Sequence, residues 1–262
     1  MGPSGRDTTW IGHEFDRRAA TYDHSEMKWW QAEQAVQLLQ PQPAQRILDI
    51  ATGTGLAARA CARITRAPQQ IVGIDVSHRM LQVAVAVSTS SYLQADAAQL
   101  PFRPASFDAL LCVAAIPYLT DLAKAVTEWR RVARPGADLV FVTPAANGIA
   151  ALRLIRQAAA DHGLAVPDYA SLGTCDQIAD ALDYLGLLLC QVEEHTFPDS
   201  LDAHPRTAYE HWLEYGFLEQ LRDAAPATAD TVYDSYQSAY RELQTAGTAQ
   251  HVAMFTRCTF SR

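Results

Sequence analysis

The 262-residue sequence predicts a doubly wound α/β fold with a mostly parallel sheet, and three observations carry that expectation. Short segments rich in β-branched residues alternate with helix-length segments between Arg46 and Pro144. A glycine-rich turn, Ala51-Thr52-Gly53-Thr54-Gly55, follows the first of those segments directly. Hydrophobic residues make up 49% of the chain and charged residues only 19%, enough apolar material for a sizeable core. Strands separated by helix-length segments join through right-handed crossovers into a parallel sheet. Such sheets bind ligands beyond the carboxyl ends of their strands, where the strand order reverses.

The elements follow in order. Residues 10–40 read as helical, with Trp10, Phe15, Trp29, Trp30, Val36, Leu38 and Leu39 at mixed three and four spacings until Pro41 and Pro43 end the run. Strands are expected at 46–50, 70–75, 91–94, 107–113 and 137–142. Helices are expected between them at 55–64, 77–87 and 121–133. Beyond residue 145 the alternation loosens into helices at 149–161 and 175–185, a long strand at 187–197 and a last alternating strand at 252–260. The connection at 198–250 is too long for a hairpin turn and carries Tyr209, His211, Trp212, Tyr215, Phe217, Tyr233, Tyr236 and Tyr240. It reads as a helical cap over the site, with 145–174 as a second piece. Three regions result: an N-terminal helical segment at 1–45, a ligand-binding core at 46–145, and the remainder of the core with its cap insertions at 146–262.

Composition removes several classes of function. The net charge of −8 and the lack of any Lys/Arg run argue against nucleic acid as a partner. None of Cys61, Cys112, Cys175, Cys190 and Cys258 lies within four residues of another, so neither a zinc site nor an iron–sulfur spacing is present and no metal is expected. Cys112, Cys190 and Cys258 fall in apolar stretches and read as reduced core side chains. The first ten residues have no apolar signal core, and no apolar stretch nears the roughly 20 residues that span a bilayer. The expectation is a cytoplasmic protein with no membrane partner; a homodimer is compatible with the sequence.

The chemistry gathers at strand ends. Ile47-Leu48-Asp49-Ile50 runs into the glycine turn and then a helix whose first N–H groups have no intrahelical partner. Twenty residues after Gly55, Asp75 closes the second strand, where a carboxylate can accept both hydroxyl protons of a ribose. After the third strand come Asp96, able to accept from an adenine amino group, and Ala97, whose N–H can face a ring nitrogen. Val76, Met80 and Val113 would flank that ring. Gly53-x-Gly55-x-x-Ala58 with Asp75 also satisfies the dinucleotide fingerprint. Against a dinucleotide, Asp49 would repel a pyrophosphate beside the turn but attract an ammonium. Asp96 and Ala97 also have a role with adenine and none with nicotinamide.

Leu48–Gly55, Gly73-Ile74-Asp75-Val76-Ser77, Ala95-Asp96-Ala97 with Leu100-Pro101-Phe102, Phe107-Asp108 and Arg131-Val132-Ala133-Arg134-Pro135-Gly136 resemble class I S-adenosylmethionine-dependent methyltransferases. The likeness is greatest to the branch of ubiquinone and menaquinone C-methyltransferases and natural-product methyltransferases. Phe15-Asp16-Arg17-Arg18-Ala19-Ala20-Thr21-Tyr22-Asp23 is similar to that family's N-terminal lid, which closes over the cofactor. The resemblance spans 15–143 well and 175–262 in outline. It implies a Rossmann-like seven-stranded sheet with an antiparallel final hairpin. It further implies S-adenosyl-L-methionine held by Asp49, Ala51, Thr52, Gly53 and Gly55 at the methionine end, Asp75 at the ribose, and Asp96 and Ala97 at the adenine. Two departures stand out: Ala51 replaces the first glycine of the usual loop, and Ala114-Ala115-Ile116-Pro117-Tyr118 replaces the polar turn often found after the fourth strand.

A sulfonium donor is already activated, so catalysis can come largely from placing the acceptor against the methyl in a dry pocket. A base is needed only for acceptors that must lose a proton. His211 is the candidate base, with His13 and His24 less favoured; Tyr118 is a candidate acceptor contact and Tyr22 a candidate contact to cofactor or acceptor. The implied activity is methyl transfer to a small organic molecule, secondary-metabolite or quinone-like. A cyclase, isomerase or decarboxylase that uses the sulfonium electrostatically remains open, and a nicotinamide oxidoreductase is the remoter alternative.

Overall fold

A computed structural model describes residues 7–166, 170, 172–198, 201, 204–213 and 218–260. It divides into two compact units. The first comprises the chain up to Thr143, then Thr174–Glu193, then the chain from Met254 onward; the second comprises Pro144–Gly173 and Glu194–Ala253.

The sheet has seven strands: β1 (Ile47–Ile50), β2 (Ile71–Asp75), β3 (Ser91–Gln94), β4 (Phe107–Val113), β5 (Ala133–Ile149), β6 (Leu187–Pro198) and β7 (Gln250–Phe260). Their spatial order is β3-β2-β1-β4-β5-β7-β6. Strands β1 to β5 pair in parallel, with Asp49 opposite both Gly73 and Leu111. The end strands run antiparallel, as expected of a seven-stranded sheet with a final hairpin. Strand order reverses between β1 and β4, so the crevice that binds ligands in open α/β sheets lies at their carboxyl ends. β1 is fully buried, and its apolar run matches a strand covered on both faces.

Between the strands lie α3 (Leu56–Thr65), α4 (His78–Val87) and α5 (Leu122–Val132). Each begins where a residue can end the preceding strand and start a helix. Gly55 does so for α3 with φ +83. The Ser77 hydroxyl accepts from the Met80 N–H in α4, and the Asp121 carboxylate accepts from the Lys124 N–H in α5. α7 (Cys175–Tyr184) is capped in the same way by Thr174.

Several features differ from expectation. The N-terminal helical stretch is two helices, α1 (Thr8–Asp16) and α2 (Glu26–Leu39), separated by a 3₁₀ turn at Tyr22–His24. The break falls where Asp23 is drawn to the glycine loop by long-range bonds that periodicity does not register. β5 starts four residues earlier than its apolar core, because a register shift between its pairings with Phe107 and Ala109 absorbs Arg134–Gly136. Cys190 is exposed rather than buried: β6 is an edge strand, and its apolar stretch has an open side.

The second unit is built on α6 (Ala150–Asp161), α8 (Pro205–Leu213), α9 (Glu219–Arg222) and α10 (Pro226–Ala246). α10 starts on Pro226 and stops at left-handed Gly247, the preferred residues at those ends. Its buried face, Val232, Tyr233, Tyr236 and Tyr240, packs with Ile155 and Ala159 of α6 and Tyr209 of α8. Among the described residues, no helix is long and apolar enough to cross a membrane.

Candidate active site

The glycine loop is shaped by left-handed backbone at three positions: Ala51 (φ +53), Gly53 (φ +57) and Gly55 (φ +83). Glycine takes this conformation freely, whereas alanine pays roughly 1 kcal/mol or more for it. Ala51 therefore keeps the loop's geometry under strain. Behind the loop, the Asp49 carboxylate accepts from the Thr52 hydroxyl at 2.6 Å and the Ala58 N–H at 3.0 Å. Burial pushes its pKa up to about 7 against the pull of those two bonds, and the nearby Asp75 adds to the rise. Asp49 thus ties the loop to the first turn of α3.

Asp75 is the hinge between loop and second strand. One carboxylate oxygen accepts from the Gly53 N–H and the other from the Ser77 N–H, both at 2.8 Å. Burial again dominates and raises its pKa to about 6. Gly73, two residues earlier, has no room for a side chain: a β-carbon there would lie 2.7 Å from the Tyr92 ring and 2.8 Å from the Thr52 hydroxyl. At the third strand end, one oxygen of Asp96 accepts from the Ala98 N–H at 2.8 Å and the other from the Thr8 hydroxyl at 3.1 Å. The buried Trp129 indole N–H donates to the Ala97 carbonyl at 2.9 Å and fixes that turn. Arg131 anchors the following loop by donating to the Leu100 and Phe102 carbonyls and to Glu128.

These strand ends enclose a cavity with about 770 Å³ of empty space, part of it open to solvent. Ala51, Gly53, Asp75, Val76, Met80, Asp96, Ala97 and Val113 all line it. Tyr22 and Tyr118 line it too. Asp49, Thr52 and Gly55 do not reach the wall; they shape the loop from behind. Thr8, Ile11 and Phe15, three residues of α1, line the cavity with them; of these only Phe15 is signalled by the lid-like segment, and Thr8 and Ile11 are not. Their spacing of three and four, which marks one helix face, was the available signal. Phe15 meets the Tyr118 ring edge-on at 4.9 Å. Gly12 lets α1 approach the end of β2, since a β-carbon there would already be 3.3 Å from the Val76 carbonyl oxygen. His211 lies on α8 of the second unit, and its side chain is outside the described residues.

The donor set fits an adenosyl group carrying an amino-acid tail. Two carboxylates stand at successive strand ends, apolar Val76, Met80 and Val113 offer walls for a flat ring, and the side of Gly53 facing Tyr22 is free of a β-carbon. Fold and site together define an α/β enzyme with a nucleoside-cofactor pocket at its strand-order reversal. A family model described as a methyltransferase domain matches residues 48–141. A malonyl-[acyl-carrier protein] O-methyltransferase of Erwinia pyrifoliae is 31% identical over 199 residues, 74% of this chain and 72% of that one. A demethylmenaquinone methyltransferase of Thermotoga maritima is 33% identical over 138 residues, 49% of this chain and 58% of that one. Among solved structures, the [4+2]-cyclase SpnF superposes with a TM-score of 0.64 at 17% identity, covering 99% of this chain and 98% of that chain. Phosphoethanolamine N-methyltransferase 2 of Haemonchus contortus, solved with phosphomonomethylethanolamine and S-adenosylhomocysteine, superposes with a TM-score of 0.54 at 21% identity over 89% of this chain and 53% of that one. The chain belongs to the S-adenosylmethionine-dependent methyltransferases, and S-adenosylmethionine is its cofactor.

Proposed function

We propose that the protein methylates a small organic acceptor of the secondary-metabolite or quinone-like class by in-line displacement. One observation supports this most: a single cavity carries the adenosyl-directed residues Asp75 and Asp96 together with three aromatic side chains, Phe15, Tyr22 and Tyr118. An aromatic wall beside the cofactor subsite suits a small apolar or aromatic acceptor and keeps water from the reacting atoms. Of the relatives, the demethylmenaquinone methyltransferase points by name to a quinone-like acceptor, whereas the malonyl-[acyl-carrier protein] O-methyltransferase names an acyl group held on a carrier protein.

When bound, the cofactor would supply a methyl carbon made electrophilic by its sulfonium, with a neutral thioether as the leaving group. The chain's part is binding and orientation. Asp75 accepts from the ribose hydroxyls, Asp96 and Ala97 engage the adenine, and Val76, Met80 and Val113 flank its ring. The carboxylate of Asp49, held behind the loop, contributes negative potential at the methionine end. Tyr118 and Tyr22 contact the acceptor. An acceptor that must lose a proton needs a base, and His211 is the proposed one.

Incubation with methyl-labelled cofactor and fractionated metabolite extract tests the reading. Label should move into a small organic product, with S-adenosylhomocysteine formed in equal amount. Label found only in protein or RNA would overturn it. Conversion of a substrate with no consumption of cofactor would favour the electrostatic cyclase or isomerase chemistry instead. Tyr118→Phe should lower turnover or raise the acceptor KM while leaving cofactor affinity within about twofold, the pattern of an acceptor-side group.

A further inference from the structure

Lys28, in the first turn of α2, is partly buried, yet its ammonium has no hydrogen-bond or ion-pair partner among the described residues. Its ammonium sits 3.6 Å from the centroid of the Tyr22 ring, the same ring that lines the cavity beside Gly53. Buried lysines are normally paired, because desolvating an ammonium is costly. The two charged groups that act on it do not supply a partner. Arg18 repels it, and the Asp23 carboxylate is already committed to the Thr54 hydroxyl and to Arg59, the latter at 2.5 Å. Burial is the main reason its pKa falls to about 8, with Arg18 adding to the fall and Asp23 opposing it. A π-face alone offsets only part of that penalty, about 0.5–2 kcal/mol.

We propose that Lys28 is the anion-recognition group at the glycine-loop end of the cavity, receiving a carboxylate beside the Tyr22 ring. Two bound molecules could bring that carboxylate, the amino-acid tail of the cofactor or an acidic acceptor. The proposal rests on the methyl-transfer reading only for the second source. Tyr22 joins the two features: its ring is part of the cavity wall and is the seat of the ammonium. The flexible four-carbon stem lets the ammonium leave the ring for an arriving anion without moving α2. Asp23, bonded through Thr54 and Arg59 to the loop and α3, holds the segment that carries both residues. The Trp29 indole N–H reinforces it by donating to the Asp23 carbonyl at 3.0 Å.

Calorimetry on wild-type protein, Lys28→Met and Lys28→Arg tests the proposal with three probes: S-adenosylhomocysteine, 5′-methylthioadenosine and benzoate. 5′-Methylthioadenosine keeps the nucleoside and lacks the carboxylate. If the cofactor tail is the guest, Lys28→Met weakens S-adenosylhomocysteine at least tenfold and leaves 5′-methylthioadenosine unchanged, and Lys28→Arg restores most of the loss. If the acceptor is the guest, both nucleosides bind all three proteins alike, and benzoate binds wild type and Lys28→Arg but not Lys28→Met. Equal loss of both nucleosides in Lys28→Met, or no change with any probe, overturns the proposal and reduces Lys28 to a packing contact. Wild-type protein that bound neither nucleoside would count against the cofactor reading, and the benzoate titration would still decide the lysine.

Discussion

Asp75 is 8% exposed, lines the cavity and already accepts two backbone N–H bonds. Each of its oxygens retains a second lone pair, which is what a ribose diol requires. Asp75→Ala should weaken S-adenosylhomocysteine binding by about 2–4 kcal/mol, the scale of charge-assisted hydrogen bonds to a diol. Titration calorimetry measures the loss, and normal affinity in the variant would place the ribose elsewhere. The raised pKa adds a pH signature. Hydroxyl donors favour the ionised carboxylate, so binding below about pH 6 must expel a proton. Affinity should therefore rise with pH, by up to tenfold per unit below that value, and level off above about pH 7. Asp75→Asn should flatten the profile.

At the scale of elements, α1 is tied at once to the ends of two strands that border the cavity. Thr8 donates to Asp96, while Asp16 accepts from the Ser77 hydroxyl at 2.6 Å and from the Arg79 N–H at 3.0 Å, at the start of α4. A helix held this way must give up those bonds for the nucleoside end of the cavity to open. Asp16→Ala should speed S-adenosylhomocysteine release several-fold in stopped-flow experiments while changing global stability by only about 1 kcal/mol. An unchanged release rate would mean that α1 does not gate exchange. In the second unit, the hydroxyls of Tyr209 and Tyr236 are buried with no hydrogen-bond partner among the described residues. Their rings stand 5.0 Å apart, and burial raises the pKa of both, that of Tyr209 to about 12. An orphaned buried hydroxyl costs about 1–3 kcal/mol, so Tyr236→Phe should raise the melting temperature rather than lower it. A lower melting temperature would show that the hydroxyl has a partner after all, an ordered water being the simplest.

At the scale of the whole molecule, Asp49 and Asp75 make folding and ligand binding respond to pH in opposite directions. Both carboxylates have folded pKa values raised above 3.8 by burial, to about 7 and about 6. Between those values the folded state binds more protons than the unfolded state. Their contribution to the stability of the ligand-free protein therefore declines as pH climbs from about 4 to 7. Ligand binding favours the charged forms, so its stabilisation grows over the same window. A saturating excess of about 100 Kd is worth about 2.7 kcal/mol. At a fixed S-adenosylhomocysteine concentration, the thermal shift should be larger at pH 8 than at pH 5.5, and an equal or reversed shift would show that these carboxylates stay neutral in the complex.

The sequence by itself determined the sheet, the family and most of the strand-end residues that line the cavity. Those features rest on local patterns: strand–helix alternation, a glycine turn directly after β1, and carboxylates at the ends of β2 and β3. Asp75, Asp96, Gly53 and Met80 could be named because a strand end in a parallel sheet has a known place in space. What the sequence could not show depends on contacts between residues far apart in the chain. Asp49 reads as a cavity residue from its position, yet its carboxylate turns to Thr52 and Ala58, because a charge at a fully buried strand must find N–H and O–H donors where they exist. The lid-like pattern begins only at Phe15, and the docking of α1 on Val76, Asp96 and Tyr118 is what brings Thr8 and Ile11 into the wall beside it. No motif in the sequence singles out Lys28. Its burial over Tyr22, with Asp23 taken by Thr54 and Arg59, is a product of packing three segments together, which no spacing along the chain encodes.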